Sequence, residues 1–301
     1  LPSYNTAIVL SALAKVDTPE AKAAIKPAQE FLKSLQFGEG ATTEGAFAGE
    51  TGRVGKDHPY YGGIGYGRSG RPDLSNTAFF IQALHDSGVS GDDPAMQRAL
   101  VFLARTQMIE KGADGKPIND MPYAKGSKQG GFIYSTSENK DKQGIGQTYG
   151  GSLEETMDDG TKVSRLRAYG SMTYAGFKSL IYAQLPPTDE RVKAVTQWIR
   201  ENYTLKENPN VGTDGLYYYF LTFARAMHAR GQDTIDVVSL KPGEGSPTQV
   251  RDWRHDLIDR LAELQNDDGS FKPVDDRWME SNPVLITAYS LLALQHARGQ
   301  H

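Results

Sequence analysis

The stretch Gln265-Asn266-Asp267-Asp268-Gly269-Ser270-Phe271, followed by Thr287-Ala288-Tyr289-Ser290-Leu291-Leu292-Ala293-Leu294, sets the organisation of the chain. Gln265 closes a segment, 250–264, whose apolar residues recur at helical spacing between charged ones. Asp268-Gly269 is a turn pair. Residues 287–294 are apolar at almost every position, so a helix there is expected to be buried on all faces. The same order recurs upstream. Leu35-Gln36 leads to Gly45-Ala46-Phe47, and Thr106-Gln107 leads to Gly130-Gly131-Phe132. Apolar segments entered through polar caps begin at Asn5-Thr6-Ala7, Ser75-Asn76-Thr77-Ala78 and Ser171-Met172-Thr173. Five apolar helices are expected, starting near Thr6, Thr77, Thr173, Leu216 and Pro283. Four amphipathic helices are expected between them, over 20–35, 94–106, 191–203 and 250–264. A repeated alternation of this kind is the signature of stacked helical pairs.

Composition narrows the classes. The chain has 301 residues, 33 Lys plus Arg, 37 Asp plus Glu, a formal net charge of −4 and no cysteine. Without Cys there are no disulfides, thiolate zinc sites, iron–sulfur clusters or cysteine nucleophiles. A mildly acidic chain with mixed charges has no footprint for nucleic acid. No apolar run approaches ~18 residues, so no membrane segment is expected. Of the 32 glycines, 11 fall between Phe37 and Asp73 and 9 between Met108 and Gly151. These stretches read as long loops with at most short hairpins, and long loops are commonly functional. The chain begins at Leu1 on a helix-like pattern with no targeting segment. The natural chain is expected to start further upstream, and the compartment is left open, with export after signal-peptide removal one route to such a start.

Gln-x-x-Asp-Gly-Ser-Phe followed by Thr-Ala-x-x-Leu-Leu-Ala-Leu is similar to the repeat of the squalene/hopene cyclase and protein-prenyltransferase β-subunit superfamily, with Phe271 where Trp is usual. The segments Asp73–Leu84 and Gly215–Met227 resemble a bacterial subgroup, the prenyltransferase and squalene oxidase repeat proteins. The resemblance implies a single all-α domain over 1–301, an (α/α)6 toroid of two concentric helical rings with long Gly-rich loops, incomplete at its N-terminus. More than half of the residues would then be helical. It also implies an isoprenoid substrate in an aromatic-lined central cavity.

In the cyclases of this superfamily an Asp-x-Asp-Asp-Thr-Ala motif opens an inner helix, and its central Asp protonates an alkene. Here the matching residues are Asp73-Leu74-Ser75-Asn76-Thr77-Ala78, with serine at the donor position. A hydroxyl cannot supply that proton. Asp73 is kept, and with Arg68 and Arg71 nearby its carboxylate is expected to be ion-paired and its pKa lowered. Asp73 and His58 are the candidate acid–base residues. Candidate ligand-binding residues are Tyr60, Tyr61, Tyr66 and Arg68 before the Asp73 helix, Asn76 within it, Tyr149, Arg167 and Tyr169 before the next, and Tyr217 and Tyr218 at the start of the one after. Tyr faces can stabilise cations or stack on sugar rings, and Arg can pair with anions. The acid pairs Asp158-Asp159, Asp267-Asp268 and Asp275-Asp276, the last with Glu280, are turn residues rather than an expected metal site. No metal or other cofactor is expected.

Three functions fit this pattern: an isoprenoid-processing, terpenoid-cyclase-like pocket without the family's acid; a polysaccharide lyase or glycoside hydrolase; and a non-catalytic binding or scaffold domain. The partner is a small molecule or an oligosaccharide. An isoprenoid cavity should be apolar and closed, a sugar cleft open with exposed aromatics and cations, and a scaffold packed or narrow at its centre.

Overall fold

The computed structural model describes residues 1–39, 53–67, 71–157, 159–238 and 248–298. Among these residues nine α-helices run in chain order: α1 (Pro2–Leu13), α2 (Pro19–Ser34), α3 (Leu74–Asp86), α4 (Pro94–Thr106), α5 (Gly170–Tyr182), α6 (Glu190–Asn202), α7 (Leu216–Arg230), α8 (Trp253–Leu264) and α9 (Pro283–Ala297). The starts follow from sequence. Thr18, Asp93, Asp189, Asp252 and Asn282 each accept a backbone N–H of the first turn, and Pro stands at N1 after three of them. Such caps satisfy donors that the helix itself leaves orphaned.

The odd-numbered helices are neighbours in the order α1, α3, α5, α7, α9, and each even-numbered helix packs outside them. Helices α3, α5 and α7 bury most of their residues. Helices α1 and α9 do not, despite their apolar sequences: Val9 is 53 % exposed and Leu291 59 %.

The expected all-α class is corrected. Helix accounts for about 47 % of the described residues, and three two-stranded antiparallel sheets accompany it. The pairs are β1 (Ser135–Ser137) with β2 (Gln143–Gln147), β3 (Ser152–Thr156) with β4 (Lys162–Leu166), and β5 (Thr234–Val238) with β6 (Thr248–Asp252). Strand β2 reads Gln-Gly-Ile-Gly-Gln, and β3 is half-exposed and charged, so neither carries an apolar signal. Residues 250–252, expected in a helix, belong to β6, and α8 starts only at Trp253 behind its Asp252 cap. The six-plus-six toroid is likewise not what the described residues form, which is five apolar and four amphipathic helices with ribbons between them.

The repeated glutamines act as two-pronged donors. Gln36 Nε2 donates to Gly62 O at 2.9 Å and to Ala95 O at 2.8 Å. Gln107 Nε2 donates to Gly130 O at 2.8 Å and to Arg191 O at 2.9 Å. In each case one bond holds the following glycine loop and the other holds the second residue of the next outer helix. The glycines must be glycines. Gly62 and Gly130 have φ of +84° and +81°, and a Cβ would lie 1.8 Å from Arg98 O or 2.5 Å from Ala194 O. Downstream of each loop, Ile64 N–H and Phe132 N–H donate to Thr77 Oγ1 and Thr173 Oγ1, locking the loops to the starts of α3 and α5.

Gln265 differs. It bonds loop backbone as expected, but through one contact, to Gly269 O at 3.2 Å, and it is exposed. Gln107→Ala strands two carbonyls in a buried setting and is expected to lower unfolding free energy by about 2–3 kcal/mol, whereas Gln265→Ala should cost less than about 1 kcal/mol. Urea denaturation of the two variants measures the difference, and equal losses would remove the two-pronged role.

Candidate functional site

The N-terminal ends of the odd-numbered helices surround a cavity of about 520 Å³. Seven tyrosines line it: Tyr4 from α1, Tyr66 ahead of α3, Tyr134 and Tyr149 from the ends of the β1–β2 ribbon, Tyr169 at the start of α5, Tyr218 on α7 and Tyr289 on α9. Trp278, Met172 and Leu285 complete an apolar wall, and Ser75, Ser171, Glu280 and Asn282 supply polar atoms. The rings tile edge to face or tilted, with centroids 5.2 Å apart for Tyr149–Trp278 and Tyr134–Tyr149, 6.1 Å for Tyr218–Tyr289 and 6.3 Å for Tyr4–Tyr66. Such contacts add packing energy and hold the ring faces in place.

Local structure explains the positions. Leu74 N–H donates to Tyr134 O at 2.8 Å and Ser135 Oγ to Pro72 O at 2.7 Å, so the β1–β2 ribbon is fastened to the start of α3. Trp278 and Met279 take φ of +54° and +69°, a region that bulky residues rarely adopt. The turn aims Trp278 across Gly215, where a Cβ would lie 2.5 Å from the indole. Helix α7 begins at Gly215 without a side-chain cap of its own. Glu280 performs that service: its Oε2 accepts Tyr217 N–H at 3.0 Å and its Oε1 accepts Tyr218 N–H at 2.8 Å.

Of the residues singled out from sequence, Tyr66, Tyr149, Tyr169 and Tyr218 lie on the cavity wall. Tyr60 and Tyr61 are buried away from it, Tyr60 packing on Phe37 and His58. Tyr217 points toward Phe271, its hydroxyl donating to Lys272 O. His58 Nδ1 accepts Tyr60 N–H in the same loop, and burial lowers its pKa. Arg167 is half-buried and off the wall. Arg68 lies outside the described residues, as do Gly45-Ala46-Phe47 and Asp158. Among the described residues no group of three His, Asp or Glu converges in metal-binding geometry. Sequence reasoning missed Tyr4, Tyr134 and Tyr289 as wall residues, and grouped Glu280 with the Asp275-Asp276 pair rather than naming it a cavity carboxyl.

Asp73 sits behind the wall, fully buried. Its Oδ1 accepts Asn76 N–H and its Oδ2 accepts Asn76 Nδ2, both at 2.8 Å, so it is the cap of α3. The expected ion pair is corrected. Arg71 is engaged with Glu138 O, Gln147 Oε1 and the face of Tyr134, and burial outweighs it, pushing the Asp73 carboxyl up to about 6. Ser75 reaches the cavity and shares a 2.8 Å hydrogen bond with Tyr218 Oη. Burial also pushes Glu280 up to about 7, against the backbone donors that favour its anion.

The fold is similar to that of the type II terpene cyclase MstE from Scytonema, with a TM-score of 0.52 at 15 % identity over 98 % of this chain and 63 % of that one. A variant of the same enzyme in complex with its substrate, geranylgeranyl dihydroxybenzoate, gives 0.50 at 16 % identity over 98 % and 65 %. The chain thus spans just under two thirds of the solved structures it matches. At this identity the likeness defines a terpene cyclase-like fold and no activity. No protein-family profile and no curated protein matches the sequence.

The raised Asp73 pKa has a stability consequence. Between the unfolded value of 3.8 and about 6 the folded chain binds more protons than the unfolded one, so this group makes stability fall as pH rises through that window. Asn at position 73 keeps the N-cap acceptor and carries no charge, and its amide can donate to Asn76 Oδ1, which has no partner. Asp73→Asn is expected to fold and to be more stable than wild type at pH 8 by about 1–3 kcal/mol, with the gap closing below pH 4. Melting curves across pH test the sign, and a variant less stable at pH 8 would contradict it.

Proposed function

We propose that the tyrosine-lined cavity binds a small molecule carrying an isoprenoid chain, as a terpenoid-cyclase-like pocket in which serine stands at the position of the family's proton donor. The observation that carries this reading is the wall itself: seven phenol rings and one indole around about 520 Å³, with no lysine or arginine among the lining residues. That volume is in the ~300–1,000 Å³ range of small-molecule sites. An apolar chain folded against fixed ring faces gains burial without ordering new side chains, and the same faces are attractive to positive charge. Tyr169 is buried, Tyr66 and Trp278 are exposed at the mouth and the other five rings are half-buried. What argues against an acidic sugar is the lack of a cationic side chain in the lining. MstE, whose fold this chain shares, was solved with a geranylgeranyl-bearing substrate.

The chemistry follows from which groups reach the ligand. Ser75 lines the cavity but lacks the acidity for alkene protonation, and Asp73 is committed to Asn76 behind it. Purified protein is therefore expected not to cyclise detergent-dispersed squalene, checked by gas chromatography of the extract. Calorimetry tests the ligand class: geranylgeraniol should bind in the micromolar range and an oligogalacturonide should not. Tyr149→Ala removes the ring that touches Tyr134, Tyr169 and Trp278 and should weaken geranylgeraniol by about tenfold, a loss of about 1.4 kcal/mol. Oligogalacturonide binding without geranylgeraniol binding would replace this reading with the sugar one.

A further inference from the structure

Glu280 is 1 % exposed to solvent, yet it lines the cavity. Both of its oxygens are tied to the first turn of α7 through Tyr217 N–H and Tyr218 N–H, which fixes the carboxyl plane. No lysine or arginine among the described residues forms an ion pair with it. The surrounding groups are known from each side. Its own loop contributes Asp275, a like charge, and Arg277, whose guanidinium pairs with Asp214 at 2.6 Å and lies over Tyr149 and Trp278 at 5.1 and 4.8 Å. Helix α7 contributes its N-terminal amides and Tyr217, α9 contributes Tyr289, and Tyr218, Tyr4 and Leu1 share the cavity lining. Asp73 is not among the lining residues.

A fixed carboxyl set among aromatic faces, with its charge unpaired, is a site for positive charge, because ring faces and an anion attract the same cation from different sides. From this arrangement we propose that Glu280 is the ionisable group a ligand meets in the cavity, and that the pocket selects chains whose head carries a positive charge. The assignment rests on the chain-binding reading above and adds the head-group chemistry to it. Glu280 rather than Asp73 holds this role because only Glu280 reaches the cavity surface. Burial places its titration near neutrality, so selection for a cationic head is present above about pH 7 and lost below it.

The test uses the full chain and two amphiphiles of equal length, N,N-dimethyldodecylamine and 1-dodecanol, each below its aggregation concentration. An alkylammonium stays charged across the neutral range. Wild type is expected to bind the amine about tenfold more tightly at pH 8 than at pH 6, with dodecanol unchanged. Glu280→Gln should flatten the amine profile and keep dodecanol within about twofold. Because Glu280 also caps α7, carbon-13 NMR of the wild-type Glu280 carboxyl provides a second readout: the amine should lower its titration midpoint and dodecanol should not. Equal pH profiles for the two amphiphiles, an amine preference that survives Glu280→Gln, or a carboxyl midpoint unmoved by the amine would each overturn the Glu280 assignment while leaving chain binding in place. If neither amphiphile binds at any pH, the chain-binding reading itself falls, and this one with it.

Discussion

Two side-chain amides govern the arrangement of the rest. A primary amide offers two donors in one plane, and Gln36 and Gln107 each use both in the same way. One donor takes the glycine loop that follows, and the other takes the next outer helix. Both glutamines are buried, so no water competes for the four carbonyls they satisfy. With loop and outer helix fixed, the loop's next amide meets a threonine at the start of an inner helix. Residue by residue, this places the N-terminal ends of α3 and α5, and the phenols around them, at set distances. The polar spacing at the outside is thus what makes an aromatic wall possible inside.

The helical repeat was legible because it depends on local periodicity, which sequence records directly. The apolar runs at Thr77, Thr173 and Leu216 could only be buried helices, and they are. The ribbons were not legible: the alternating charges of Glu154-Glu155 and the glycines of β2 pair through backbone groups, which leave no residue signature. The site was half legible. Tyr66, Tyr169 and Tyr218 stand shortly before or on inner helices, so chain position located them, while Tyr149 comes from the end of the β1–β2 ribbon. Tyr134, Trp278 and Tyr289 reach the cavity through a ribbon end, a left-handed turn and the last helix, all matters of three-dimensional closure. Tyr60, Tyr61 and Tyr217 show the converse, since neighbours in sequence face different ways once a loop or helix turns.

The two buried carboxyls illustrate how burial, rather than residue type, divides roles. Asp73 and Glu280 both cap inner helices and both are raised by desolvation. Asp73 is closed off by Asn76, so its proton affects stability. Glu280 is bound on its α7 side and stands among the residues that line the cavity. A short sequence motif marked the first, whereas the second comes from a loop more than sixty residues further along the chain than the helix it caps, and no motif announces it.

The left-handed turn at Trp278 carries one more consequence. The protein has three tryptophans, and Trp198 and Trp253 are 5 % and 2 % exposed, whereas Trp278 is 40 % exposed at the rim of the cavity. Indole emission shifts to the blue when water leaves its surroundings, so light from Trp198 and Trp253 forms a constant background and light from Trp278 changes with what stands beside it. Tyr149, with its centroid 5.2 Å away, passes absorbed energy to that indole. The molecule therefore carries its own optical gauge of cavity occupancy, built from a residue whose backbone is held in the left-handed region.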